Sequence, residues 1–168
     1  MAAQLILQIR VLTDFKKISF EYAETMKTSA LDIKLTCGPE KGLITTKRKA
    51  DIYYGILSDL DILKNKEKKP LFVAENMPFC YLYLNMPFAT YSTWYIGVTW
   101  DMDMVNKRFD AYYELHPDKI PKYYYVPKRN NFCYSDVSER AAKVVEKITR
   151  KVDCHVIEGN EGYILEVQ

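Results

Sequence analysis

Residues 69–100, KPLFVAENMPFCYLYLNMPFATYSTWYIGVTW, combine a short apolar run with a dense aromatic segment. The apolar run from Leu71 to Ala74 is too short and too rich in β-prone residues for a helix, so it predicts a buried strand over 70–75. The prolines and aromatic residues that follow predict a loop at the carboxyl end of this strand. Open α/β sheets bind ligands at such ends, so the loop is a natural binding surface.

The aromatic side chains of this loop have two interpretations. Rings bury large apolar areas, and for most of these residues a place in the core is the simpler explanation. Tyr91 and Trp94, near the end of the segment, are the expected exceptions and the candidate contacts for a ligand.

The remaining elements follow from hydrophobic periodicity. Apolar residues at helical spacing predict helices over 47–63, 104–115 and 136–152. Alternating or continuous β-prone runs predict strands over 5–11, 18–22, 31–35, 70–75 and 122–126, and a hairpin of 154–158 with 163–167. The order strand, helix, strand from 31 to 75 is typical of a βαβ unit, so strands 31–35, 70–75 and 122–126 are expected inside the sheet. The expected fold is α/β: a three-layer Rossmann-like domain with a mixed, centrally parallel sheet and an antiparallel C-terminal hairpin.

Composition limits the function classes. The 168 residues fit a single α/β domain over 1–168, and 48% apolar with 27% charged residues is ordinary for a globular protein. A net charge of +2 is too small to indicate a nucleic-acid partner. The four cysteines form no C-x-x-C pair and there are only two histidines, so neither a metal site nor a cofactor is expected. No transmembrane span is predicted, and the chain as given is expected to be soluble.

The turn before helix 47–63 is a second candidate site. Its sequence CGPEKG leads to a helix N-terminus, where free amides and the helix dipole favour an anion, and KRK opens the helix. The candidate anion contacts are Gly38, Gly42, Thr45 and Lys47. The Walker ending and the dinucleotide spacing are both missing, so a plain turn with a solvated basic face is the competing interpretation.

Independent catalysis has little support in the sequence. Ser92 lies outside the G-x-S-x-G pattern that exposes a nucleophile. His116 and His155 occupy an expected helix end and an expected hairpin start, and helix capping explains Asp101 and Asp103. No catalytic residue is assigned, and whether this chain is an enzyme stays open.

The order of several segments resembles the soluble C-terminal extracytoplasmic domain of multi-spanning, lipid-sugar-dependent glycosyltransferase-like membrane proteins of Gram-positive gut bacteria. The segments are CGPEKGLITT (37–46), the helix with Tyr53 and Leu60, PLFVAENMPFCYLY (70–83), ATYSTW (89–94) and YYELHPDKIPKYYYVP (112–127). The resemblance covers about residues 9–127, and its membrane portion has no counterpart in this chain.

The resemblance implies that this chain is a fragment of a larger membrane protein, located at the extracytoplasmic face of the membrane. Its implied partners are the transmembrane portion of that protein and a carbohydrate or lipid-linked sugar. The catalytic acid of such transferases lies in an early loop of the membrane portion, so no catalytic position carries over.

The role that carries over is that of a non-catalytic accessory or glycan-recognition domain, with Tyr91, Ser92 and Trp94 as contacts. We expect this surface to lie near the Gly38–Thr46 turn, at one edge of the sheet. The alternative is a free-standing small α/β enzyme or phosphosugar-binding protein that uses the Gly38–Lys49 turn.

Overall fold

The computed structural model describes residues 31–93, 102–130 and 136–168. In chain order these ranges contain β1 (Ile33–Lys34), β2 (Ile44–Thr45), α1 (Lys47–Lys64), β3 (Leu71–Val73), α2 (Phe79–Leu84), α3 (Met102–Leu115), a 3-10 turn (Pro117–Lys119), β4 (Tyr123–Pro127), α4 (Ser138–Thr149), β5 (Cys154–Glu158) and β6 (Gly162–Val167). The three predicted helices and the C-terminal hairpin are confirmed, with bounds that differ by a few residues. The predicted strands 5–11 and 18–22 lie outside the described residues.

The main sheet has four strands in the order β3-β4-β6-β5. β3 and β4 are parallel, with Leu71 opposite Tyr123 and Val73 opposite Tyr125. The other two pairings are antiparallel, and β5 with β6 forms the hairpin. The fold is therefore a mixed α/β fold. Among the described strands the parallel pair lies at one side of the sheet, not at its centre.

The prediction that 31–35 forms an inner strand of this sheet is wrong. Among the described strands, β1 pairs only with β2, in a separate antiparallel two-stranded sheet. The chain turns back at once through Gly38 and Gly42, whose φ angles are 76° and 98°. The amide of Leu35 then donates to the carbonyl of Leu43 at 2.8 Å, so the turn itself provides the strand partner.

The parallel partner of β3 is accordingly β4, which follows it by about 50 residues, and the expected βαβ unit from 31 to 75 does not form. β3 is also the outermost strand of the four, where 70–75 was expected inside. Its outer side carries one isolated parallel bridge, between Leu71 and Phe88.

Helices pack against both faces of the sheet. Side chains alternate between faces along a strand, so Leu71 and Val73 point one way and Phe72 the other. The first face packs under α1 and α2, and the buried residues there include Ile56, Leu60, Leu84, Leu71, Val73, Tyr125 and Ile164. On the second face the ring centroid of Phe72 lies 5.3 Å from that of Phe109 in α3, and Ala141 of α4 is buried against Leu165. Fully burying an aliphatic side chain contributes roughly 1.5–3 kcal/mol, so these two clusters supply most of the driving force.

Helix α2 lies within the aromatic segment, where a loop was predicted. Pro78 precedes it with φ −61° and ψ −23°, already in the helical region. Its side chains Phe79, Cys80, Tyr81 and Leu84 are buried. Asn85 ends the helix in the left-handed conformation. A place in the core is thus confirmed for the aromatic residues Phe79 and Tyr81, whereas Tyr83 is partly buried and Phe88 and Tyr91 are exposed.

A single buried carboxylate joins three elements. Asp59 of α1 accepts the backbone N–H groups of Asn160 at 2.7 Å and Glu161 at 2.8 Å, both in the β5–β6 turn. The hydroxyl of Tyr125 in β4 donates to the same carboxylate at 3.3 Å. A Cβ on Gly159 would lie 2.4 Å from the Asp59 carboxyl carbon, so only glycine allows this close approach.

Candidate functional site

Two rings, Tyr91 and Trp94, were predicted to form the aromatic candidate site. Trp94 lies outside the described residues, so the site is described around Tyr91. The Tyr91 ring is 46% exposed. Its centroid lies 5.1 Å from that of Phe109 and 6.0 Å from that of Tyr112, both on α3. The His116 ring continues the row, 5.0 Å from Tyr112. We call Tyr91, Tyr112 and His116 the aromatic strip.

The backbone before Tyr91 is tied to both β3 and α3. The amide of Leu71 donates to the carbonyl of Pro87 at 2.9 Å, and the amide of Ala89 donates to the carbonyl of Leu71 at 2.8 Å. The hydroxyl of Tyr113 donates to the carbonyl of Ala89 at 2.7 Å. Burial raises the pKa of Tyr113, which keeps this donor protonated at neutral pH. These hydrogen bonds hold the backbone that leads to Tyr91 in place. Ser92, the next residue and a predicted ligand contact, is half-buried.

In the glycine turn, packing explains Gly38 without a ligand. A Cβ on Gly38 would lie 2.2 Å from the hydroxyl oxygen of Tyr53, on α1. That hydroxyl accepts the amide N–H of Glu40 at 3.1 Å and donates to the carbonyl of Cys37 at 3.3 Å. A Cβ on Gly42 would have no heavy atom within 4 Å, so the positive φ accounts for glycine there.

Thr46 is the N-cap of α1: its hydroxyl accepts the amide of Lys49 at 3.3 Å. Thr45 is the last residue of β2 and pairs with Ile33. The ammonium of Lys47 lies 3.3 Å from the carboxylate of Asp51, one turn along the helix. Thr45 and Lys47, which were predicted to contact an anion, thus have partners within the protein: Thr45 pairs with Ile33 in the hairpin and Lys47 pairs with Asp51.

An open cavity of about 500 Å³ lies beside the start of α1. Its lining residues are Lys47, Arg48, Asp51, Ile52, Arg129 and Glu161. The guanidinium of Arg129 lies 3.0 Å from Glu161 and 3.4 Å from Asp136, so carboxylates already balance much of the positive charge. Arg129 and Glu161 were not predicted, because nothing local in the sequence places the exit of β4 beside the first turn of α1.

The two candidate sites lie on helices at opposite faces of the sheet. Tyr91 packs on Phe109 of α3, which covers the Phe72 face. Lys47 opens α1, which covers the face of Leu71 and Val73. The expectation of one shared edge depended on β1 and β3 forming a parallel unit, and they belong to different sheets.

A polar cluster at the end of β3 was also missed. Glu75 is buried and forms an ion pair with Arg140 of α4. Asn76 is buried next to it, and its Oδ1 atom has no hydrogen-bond partner within the described structure. A buried carboxylate needs such a cationic partner, so the pair ties the end of β3 to α4.

The described residues offer little for metal or thiol chemistry. Within 31–93, 102–130 and 136–168, histidine, cysteine and carboxylate side chains form no cluster of three or more that could hold a metal ion. Cys37, Cys80 and Cys154 carry free thiols, and Cys133 lies outside these ranges. Burial raises the pKa of the Cys80 thiol, which leaves it protonated and unreactive at neutral pH.

Comparisons with protein-family models, with curated proteins and with solved structures found no match for this chain. The resemblance to glycosyltransferase-like membrane proteins therefore stays a hypothesis. None of the helices in the described part of the chain is long and apolar enough to cross a membrane.

Proposed function

We propose that this chain is a non-catalytic glycan-recognition or accessory domain that binds a carbohydrate or lipid-linked sugar on the aromatic strip. The observation that supports this best is the half-exposed ring of Tyr91, packed on Phe109 and Tyr112. In the protein that the resemblance implies, the domain lies at the extracytoplasmic face beside the transmembrane portion. The three-layer Rossmann-like arrangement belongs to the same proposal.

The chemistry of the strip suits a sugar. One face of a pyranose ring is lined by C–H groups, and it stacks on an aromatic ring while its hydroxyl groups bind neighbouring polar atoms. Tyr91 and Tyr112 present rings and hydroxyls side by side, and the His116 imidazole adds another polar edge. Because the Tyr91 ring packs on the buried ring of Phe109, its binding to a ligand loses little side-chain entropy.

Substituting Tyr91 tests the proposal. Tyr91→Ala should weaken binding to an oligosaccharide by about 1–2 kcal/mol, which is roughly 5- to 30-fold in Kd, because a stacking ring and its contact area are lost. Tyr112→Ala should do the same. The measurement is isothermal titration calorimetry against the best ligand from an oligosaccharide panel.

Phe88→Ala is the matched control, because Phe88 is 47% exposed and packs edge-on against Tyr81, outside the strip. It should leave the affinity unchanged. If the parent protein binds no oligosaccharide of the panel, or if Phe88→Ala weakens binding as much as Tyr91→Ala, the proposal fails. Thermal unfolding of each variant separates lost binding from lost folding.

The alternative function is a small α/β enzyme or phosphosugar-binding protein that uses the Gly38–Lys49 turn. The observation in its favour is the cavity beside the start of α1, whose lining includes Lys47, Arg48 and Arg129. A sugar phosphate there would have to displace the carboxylates that pair with Lys47 and Arg129. Including sugar phosphates in the same panel distinguishes the two functions. Binding that Lys47→Gln weakens and Tyr91→Ala leaves intact supports the alternative.

A further inference from the structure

The two outer edges of the four-stranded sheet differ in how they are covered. Along β3 the protein uses its own chain: Leu71 donates its amide to the carbonyl of Pro87 at 2.9 Å and accepts the amide of Ala89 at 2.8 Å. The amide of Val73, next along this edge, donates to the hydroxyl of Tyr81 at 3.1 Å. The opposite edge of the sheet is β5, and within the described residues nothing equivalent lies along it.

The hydrogen bonds of the β5–β6 hairpin determine which backbone groups of β5 point outward. The amide of Gly159 donates to the carbonyl of Gly162, and the amide of Gln168 donates to the carbonyl of Asp153, both in the register of the hairpin. Backbone groups alternate between the two sides of an antiparallel strand, so the odd-numbered residues of β5 bond to β6 and the even-numbered residues point away. No hydrogen bond among the described residues uses the outward N–H and C=O groups. The outward residues are Cys154, Val156 and Glu158.

β5 also lacks the features that protect an edge strand. Proteins commonly prevent edge pairing with prolines, bulges or charged side chains, lysine above all. The sequence of β5, CHVIE, contains no proline, glycine or lysine, and its register with β6 is continuous. Its carboxylate, on Glu158, lies 2.7 Å from the ammonium of Lys128. Val156, at the centre of the strand, is 37% exposed. This edge is therefore suited to pairing with another strand.

We propose that β5 pairs antiparallel with β5 of a second copy of this chain, across a two-fold axis at Val156. Only this register uses the backbone groups of all three outward residues, because Val156 then faces its own counterpart and Cys154 faces Glu158. Each of the three opposed pairs exchanges two hydrogen bonds, about six in all. A two-fold interface requires a surface that complements itself. β5 meets this requirement, since the apolar residue meets itself and no like charges face each other.

The pairing joins the two four-stranded sheets into one continuous sheet. Opposed residues of an antiparallel pair share a face, so corresponding faces of the two copies lie on the same side. Helix α3, which packs on the Phe72 face, carries the aromatic strip, and the dimer presents both strips on that side. The far edges of the joined sheet are the two β3 strands, which the chain covers itself. Growth by edge pairing therefore stops at two copies.

Sedimentation velocity of the whole chain over a range of concentrations tests this. One short strand from each copy makes a small interface, so we expect a reversible equilibrium between monomer and dimer. Val156→Pro should raise the Kd of the dimer about tenfold or more, because it removes both N–H groups at the axis. Proline is tolerated in an edge strand where the N–H faces solvent, so the monomer should still fold. Val156→Thr keeps the N–H and a β-branched side chain, and as the matched control it should dimerise like the parent.

Charges at the axis test the register. Val156→Lys and Val156→Glu each place two like charges opposite each other, so each variant alone should be monomeric. An equimolar mixture of the two should dimerise again, because opposite charges then face each other across the axis. Leu82→Lys is the control for an added charge, since Leu82 is 72% exposed on α2, and it should leave the equilibrium unchanged.

The proposal is overturned if the parent chain is monomeric at every concentration, or if it forms larger assemblies without a dimer. It is also overturned if Val156→Pro dimerises like the parent, or if the mixture of charge variants stays monomeric. Circular dichroism verifies the fold of each variant, and if Val156→Pro does not fold, the charge variants decide. The proposal does not depend on glycan binding, so a chain that dimerises through β5 and binds no oligosaccharide supports the first and contradicts the second.

Discussion

At the scale of single residues, Asp59 shows how one buried side chain depends on distant parts of the chain. It is buried among apolar residues of α1, where an uncompensated carboxylate costs several kcal/mol. Two backbone N–H groups of the β5–β6 turn and the Tyr125 hydroxyl provide the compensation. Hydrogen bonds to a charged acceptor are stronger than those between neutral groups. Asp59 therefore provides acceptors for the backbone N–H groups of the β5–β6 turn and fixes the position of that turn.

Asp59→Ala should lower the free energy of unfolding by about 3 kcal/mol, because the amides of Asn160 and Glu161 lose their acceptor in a partly buried place. Urea denaturation followed by circular dichroism measures this. Asp61→Ala is the control: Asp61 is exposed, contacts Lys64 and Tyr83, and its loss should cost no more than about 1 kcal/mol. Equal effects of the two variants would contradict the role given to Asp59.

Sequence patterns predicted the apolar residues around Asp59 but not Asp59 itself. Ala50, Tyr53, Leu57 and Leu60 recur at helical spacing in the sequence, and all four are buried. Asp59 and Asp61 look alike in the sequence, as acids on one amphipathic helix. Only the hairpin turn, about 100 residues further on, distinguishes them, and no local pattern contains that information.

At the scale of elements, the start of α1 shows how one hydroxyl sets a helix boundary. The first turn contains three cations and no acidic residue, an unfavourable arrangement beside the positive end of the helix dipole. The Thr46 hydroxyl satisfies the amide of Lys49 there. Because the charges do not help this helix to begin, its N-cap should matter for stability.

Thr46→Ala should lower the free energy of unfolding by about 1 kcal/mol through loss of the N-cap hydrogen bond. Thr45→Ala, one residue earlier, should cost less than about 0.5 kcal/mol, since Thr45 lies at a partly exposed strand end. Thermal unfolding by calorimetry compares the two. A larger loss from Thr45→Ala would show that the helix begins one residue earlier.

Element prediction succeeded where a pattern was long and failed where it was short. α1 spans 18 residues, so its helical period repeats several times. α2 has six residues between two prolines, too few for a period to appear, and its aromatic composition suggested a loop. Alternation in 31–35 correctly indicated extended chain, but alternation does not name the partner of a strand. The same limitation misplaced the glycine turn relative to Tyr91.

At the scale of the whole molecule, tyrosine is unusually frequent, with 14 residues in the chain, and Tyr53, Tyr81, Tyr123 and Tyr125 are buried. Burial raises the pKa of Tyr81 to about 12 and that of Tyr124 to about 12. Burial also raises the pKa of Tyr125 far above its usual value, and the nearby Asp59 carboxylate adds to this effect. Tyr81 and Tyr125 belong to one core cluster, and Tyr124 packs against the other. Ionisation of these phenols therefore weakens the packing on both faces of the sheet.

The fold should therefore lose stability in alkali. A group whose pKa is higher in the folded than in the unfolded state stabilises the fold at pH values below its unfolded-state pKa. For a tyrosine that pKa is about 10, and for Tyr81 the stabilisation is lost as the pH rises toward its folded-state pKa of about 12. Tyrosine ionisation should not change the urea concentration at the midpoint of unfolding below about pH 9. Above about pH 10 this midpoint concentration should fall steeply. Part of the tyrosinate absorbance should appear only as the far-ultraviolet circular dichroism is lost. Complete tyrosine ionisation with native circular dichroism would contradict this.

The position of β6 between β4 and β5 has a consequence for the time course of folding during synthesis. β6 follows both of its neighbours in the chain, and it supplies Ile164 to one core cluster and Leu165 to the other. Until the ribosome has released 162–167, β4 has an unpaired edge and both clusters lack a central member. The helices and β3 emerge first but have only part of their sheet to pack on. Closure of the sheet is thus a late step that completes both faces at once, and a nascent chain stalled before β6 would need a chaperone to cover its apolar surface.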